Sequence, residues 1–162
     1  PAMTWASFAI NYFSLGDFES SKSYFTRGFA NVQAPFNVWT ETPTGGTVNF
    51  LTGAGGFLQS LVFGTSGLRI QDDGSLTFKA PPPQSTGTNA TMISLHSFHY
   101  LGARLRQDVN ETHVRFEVLE TSFNIFLSIR GDSSSTVILH SSGERAVFPR
   151  DISRVIELRA DT

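Results

Sequence analysis

The sequence predicts an α+β fold in which helices come first and strands follow. Apolar residues recur at spacings of three and four from Met3 to about Phe63, the signature of helices with one face in a core. From Leu68 to Ala160 they alternate, or run in short β-branched and aromatic bursts, as in strands. Gly64 to Gly67 marks the boundary, dividing the chain into a helical part, residues 1–64, and a strand-rich part, residues 65–162.

Taken in order, the first helix is expected over residues 3–14, ending at Gly16, where a left-handed cap is natural. Asp17 then caps a second helix that runs to about Ala30, so the two form an αα-hairpin. Residues 31–48 contain Pro35, Pro43, Gly45 and Gly46 and read as a long loop. A third helix starts at Asn49, with Phe50, Ala54, Phe57, Leu58, Leu61 and Val62 as its core-facing stripe. Its other face, Thr52, Gly53, Gly56 and Gln59, is small and polar. Each glycine in a helix costs about 1 kcal/mol against alanine, so Gly53, Gly55 and Gly56 imply that something approaches closely, either a neighbouring helix or a polar ligand. Asp72-Asp73-Gly74 then links two short strands as a hairpin. Pro81 to Thr88 reads as a linker, and further strands are expected at 92–108, 113–120, 123–130, 135–141, 144–148 and 154–160, which suggests an antiparallel sandwich of two sheets. In the 113–120 strand Val114, Phe116 and Val118 take one face and charges the other.

Composition narrows the function. The chain has 162 residues, 40% of them hydrophobic, with a net charge of −2 and no basic stripe, which argues against a nucleic-acid surface. No apolar run reaches the length of a membrane span. The absence of cysteine excludes disulfides and thiolate metal sites. Two sequons, at Asn89 and Asn110, leave the compartment open, with the cytoplasm slightly favoured. His96 and His99 have a ligand-like spacing, but positions three apart in a strand face opposite sides, so no metal site is expected. Arg130-Gly131-Asp132 reads as turn chemistry. Nucleophile elbows, phosphate loops and dinucleotide fingerprints are missing.

Most carboxylates sit in turns or at element ends and read as solvated. Glu41 differs, because it lies between Trp39 and Pro43 in a segment otherwise free of charge, which suggests a partly desolvated group able to act as a base. A carboxylate that merely hydrogen-bonds backbone amides is the competing reading.

The segment Val38-Trp39-Thr40-Glu41, Gly45-Gly46, residues 49–59 (NFLTGAGGFLQ), Val62-Phe63-Gly64 and Gly67-Leu68-Arg69 resembles the carboxyl-terminal part of glycoside hydrolase family 65. That resemblance implies that the helices are the last of an (α/α)6 barrel and the strands a carboxyl-terminal antiparallel β-sandwich. With the abrupt, already periodic start at Trp5, it implies a piece of a larger enzyme whose upstream part is missing. The implied activity is that of an inverting α-glucosidase with Glu41 as general base, its general acid lying upstream. A carbohydrate is the implied partner, with Trp39 able to stack on a sugar face and Thr40, Thr42, Asn49 and Gln59 able to reach its hydroxyls, and no cofactor is implied. Glucosyl-galactosyl-hydroxylysine of collagen-type glycans is the substrate the resemblance favours, with trehalose hydrolysis or a disaccharide phosphorylase as alternatives. A carboxylate base favours hydrolysis over phosphorolysis, since phosphate needs no deprotonation to attack. By itself the fragment is expected to be inactive. A non-catalytic carbohydrate-binding or scaffolding sandwich stands as the reading from another class, with Phe98 and Tyr100 as its one close aromatic pair.

Overall fold

The computed structural model describes residues 2–151 and 153–161. Helix α1 spans Trp5–Leu15 and α2 Phe18–Arg27. The turn between them forms as the sequence predicts. Gly16, at φ 79°, closes α1, and the Asp17 carboxylate accepts from the Ser20 amide at 3.0 Å to cap α2. Helix α3 covers Leu51–Gln59 and continues into a π-helical turn over Ser60–Thr65.

Residues 31–48 are not the expected loop. They hold three short strands, β1 (Val32–Gln33), β2 (Val38–Thr42) and β3 (Gly45–Val48), paired antiparallel in the order β1-β2-β3. The prolines that suggest a loop fall in the turns, while Val38, Trp39, Thr40 and Thr42 are good strand formers.

The remaining strands build the expected sandwich. One sheet has β4 (Leu68–Ile70), β5 (Leu76–Phe78), β9 (Ile125–Ile129), β10 (Asp132–Leu139) and β12 (Ile156–Ala160), in the order β10-β9-β12-β5-β4. The other has β6 (Met92–Tyr100), β7 (Ala103–Asn110), β8 (His113–Glu120) and β11 (Arg145–Pro149), in the order β11-β8-β7-β6. Residues 92–108 thus contain a hairpin rather than one strand, because Leu101 and Gly102 both take positive φ, at 49° and 99°. Asp72-Asp73-Gly74 and Arg130-Gly131 form the turns the sequence assigns to them. Residues 83–86 make a 3-10 turn instead of a free linker, with Pro83, Ser85 and Thr86 buried.

Between the sheets lies one core, in which Leu105, Phe116, Val118, Ile125, Leu127 and Leu158 are fully buried. Phe78 and Phe116 meet edge to face across it, their centroids 4.8 Å apart. The helices share a second, smaller core of Ala9, Phe13 and Phe25. Phe13 and Phe25 are therefore inside, whereas Phe8 is 45% and Phe29 37% exposed.

The two cores are joined by Arg69 on β4. Its guanidinium donates to the carbonyls of Phe63 and Leu68 at 2.5 and 2.6 Å and to the Ser14 hydroxyl on α1. Burial pushes it below the usual arginine value. Lys79 adds a bond to the Ser14 carbonyl at 3.3 Å, so two cations meet the carboxyl end of α1, where the helix dipole favours them.

On the outer face of the four-stranded sheet, Asp108 is covered by its neighbours. It accepts from Ser94 Oγ at 2.6 Å, Arg106 Nε at 3.0 Å and Arg115 Nε at 3.0 Å. Burial acts to raise its pKa, but these donors outweigh it and hold the carboxyl below the usual range. The stabilisation this provides is present above the ordinary carboxylate range and is lost as pH falls through the lowered value. Asp108→Asn is expected to destabilise the chain by about 2 kcal/mol at neutral pH. Urea unfolding at stepped pH should show that deficit shrinking as the solution is acidified.

Candidate active site

The site-bearing unit is the β2–β3 hairpin, which lies against α3. Thr40 pairs with Val48 and Thr42 with Gly45, so two residues of β3 stand opposite the single residue Glu41. That is a β-bulge with its extra residue on β3, a device that re-aims side chains. Gly46 supplies the left-handed conformation it needs, at φ 77°. A Cβ placed there would lie 2.9 Å from Glu41 Cβ and 3.0 Å from Oε2.

Glu41 is half-buried on a strand, flanked by exposed Thr42, Gly46 and Thr47, and is not in the buried loop that the sequence suggests. Its Oε2 accepts from the Thr47 amide at 3.2 Å and from the Thr47 hydroxyl at 3.3 Å. Its carbonyl takes a bond from Asn31 Nδ2 at 2.9 Å. Among the described residues Oε1 has no hydrogen-bond partner.

The other candidates divide into inward and outward groups. Trp39 packs inward, its ring 5.5 Å from that of Phe57 and its Nε1 donating to the Gly28 carbonyl at 3.0 Å. Thr40 is buried, with its hydroxyl donating toward the carbonyls of Asn31 and Thr42 at 2.9 and 2.8 Å and accepting from Gln33 Nε2. Trp39 thus holds the hairpin to α2 and α3, while Thr40 ties β2 to β1 and to the turn before it. Thr42, Asn49 and Gln59 are exposed. Asn49, at φ 55°, turns the chain from β3 into α3. Gln59 ends α3, about 12 Å along the axis from Leu51, so it is not gathered with the hairpin residues.

The glycine face of α3 packs rather than lines a pocket. A Cβ on Gly53 would strike the Phe50 ring at 2.6 Å, one on Gly56 would reach Ala6 at 3.0 Å, and one on Gly64 would strike the Phe13 ring at 2.8 Å. Gly53, Ser60 and Gly64 are buried, while Leu51 and Leu58, the latter assigned to the core from its spacing, are 80% and 61% exposed. Close approach of side chains to the glycine backbone, not apolar periodicity, chooses the buried face. Thr47 and Asn31 escape a reading of the sequence, because nothing in their neighbourhood marks them as partners of Glu41. The αL glycine of a bulge was the one available signal.

No family model matches the chain. It is 34% identical over 165 residues to protein-glucosylgalactosylhydroxylysine glucosidase of Danio rerio, an alignment that covers 100% of the chain and 24% of that protein. The mouse (Mus musculus) protein of the same name is 41% identical over 119 residues, covering 73% of the chain and 16% of the relative. Kojibiose hydrolase of Mucilaginibacter mallensis is 38% identical over 86 residues, covering 52% and 13%. The chain therefore spans a quarter or less of the relatives it matches. A solved structure from the human microbiome, assigned as a kojibiose phosphorylase, shares the fold with a TM-score of 0.66 at 11% identity, over 93% of this chain and 20% of that one.

Proposed function

We propose, from the premise that this chain belongs to glycoside hydrolase family 65, that it supplies the general base of an inverting α-glucosidase, with Glu41 in that role. The observation that carries the reading is a carboxylate fixed through Oε2 by Thr47, with Oε1 left open. In the reaction, a water oxygen bonds to the anomeric carbon while the bond to the leaving oxygen breaks. The proton from water passes to Glu41, and the leaving oxygen takes a proton from a carboxylic acid outside this chain.

Residues 1–64 would then be closing helices of an (α/α)6 barrel and residues 65–162 its following sandwich domain. The exposed apolar residues Phe36, Val48, Leu51 and Leu58 support a covering by further helices. Thr42, the last residue of β2, and Asn49, directly after β3, are exposed and would meet sugar hydroxyls, with Gln59 contributing from the far end of α3. Trp39 and Thr40 would position the hairpin from behind. Without its acid and barrel walls, the isolated chain would contribute little rate.

Glucosyl-galactosyl-hydroxylysine is the substrate proposed, following the names of the relatives that match at full or nearly full chain coverage. The test is glucose release by the full-length enzyme that carries this chain. Turnover of glucosyl-galactosyl-hydroxylysine should exceed that of trehalose, and the glucose first released should be the β anomer. Preferential cleavage of trehalose would overturn the substrate, and α-glucose the inverting mechanism.

A further inference from the structure

Resting on the reading of Glu41 as the base, we propose that Thr47 is a positioning residue which commits Oε2 to the hairpin and leaves Oε1 as the oxygen that takes the proton from water. A glutamate χ3 is broad and two-fold, so a free carboxylate swings through many planes. Here the bulge sets both Gly46 and Thr47 opposite Glu41. The Thr47 amide and hydroxyl reach the same oxygen, at 3.2 and 3.3 Å, which fixes the carboxylate plane. Gly46 leaves no side chain to displace it, since a Cβ would stand 3.0 Å from Oε2. Asn31 fastens the Glu41 backbone from the other side through its carbonyl, at 2.9 Å. Of the two Glu41 oxygens, Oε1 is then the one without a hydrogen-bond partner among the described residues. Proton transfer depends steeply on such alignment.

The hydroxyl can be removed with little change of shape. Thr47 is exposed, and valine keeps the β-branched outline that suits a strand. In the full-length enzyme, Thr47→Val is expected to lower kcat about tenfold with KM held within about twofold. Thr47→Ser keeps the hydroxyl and should restore kcat to within about twofold of wild type. Thr47→Ala, measured beside it, should show the same loss as valine, and melting temperatures should stay together. Glu41→Gln serves as the reference. If it is inactive while Thr47→Val turns over like wild type, or if Thr47→Ser is as slow as valine, the positioning role is overturned and the base survives. Retained activity in Glu41→Gln overturns the base, and the positioning role with it.

Discussion

With Glu41 in its proposed role, replacing it with glutamine in the full-length enzyme is expected to lower kcat on the proposed substrate, glucosyl-galactosyl-hydroxylysine, by about 100- to 10,000-fold, the usual worth of a general base. The amide is nearly isosteric, and its carbonyl oxygen still accepts from the Thr47 amide and hydroxyl that now reach Oε2. The bulge and the Asn31 bond to the backbone should therefore persist. What disappears is a basic lone pair on the other oxygen. Because sugar binding does not use that basicity, KM should change little, the pattern of an interaction made in the transition state alone. Steady-state kinetics of the two proteins checks this, and a large rise in KM at constant kcat would instead mark Glu41 as a binding residue.

Gly67→Ala should unfold the junction between helices and sandwich. Gly67 takes φ 68°, and a Cβ there would lie 2.2 Å from the Lys79 carbonyl oxygen, 2.3 Å from its carbon and 2.8 Å from the Ala80 amide nitrogen. These are backbone atoms, and the Lys79 amide donates to the Gly67 carbonyl at 3.1 Å in the same pairing. Neither side can yield without opening the contact between β4 and β5. Left-handed backbone costs a non-glycine residue about 1–2 kcal/mol and overpacking adds about 1–3 kcal/mol, so a loss of about 2–5 kcal/mol is expected. Gly16→Ala is the control. It also has positive φ, at 79°, but nothing within 4 Å of the added carbon, so only the backbone cost of about 1–2 kcal/mol should appear. Urea unfolding of the three proteins separates the two costs, and equal losses would contradict the steric account.

The order of helices and then strands was legible because each long element carries its own period. Val114, Phe116 and Val118 alternate inward on β8 as their spacing demands, and the Asp72-Asp73-Gly74 turn declares its hairpin. Strands β1 to β3 were hidden because they are two to five residues long and interrupted by prolines that also signal loops. The buried face of α3 was misassigned for a different reason. Hydrophobic periodicity ranks glycine low, yet Gly53 and Gly64 are where aromatic rings press against the helix. In the site, Glu41 was visible as a lone charge among neutral residues, and the family resemblance gave it a role. Its partners were not visible, since a bulge joins Glu41 to Thr47 through register, which short strands specify weakly.

In the proposed reaction Glu41 removes a proton from water during attack on an inverting centre. Azide carries no proton to remove and needs no base to attack, so it bypasses a missing one. The measurement is therefore glucoside turnover by the full-length enzyme with Glu41→Ala, with and without azide, followed by NMR of the product. With Glu41 as the base, azide should accelerate turnover and yield β-glucosyl azide, its nitrogen bonded to the anomeric carbon on the face opposite the departed oxygen. Absence of any azide acceleration, or an α-configured azide, would contradict the assignment.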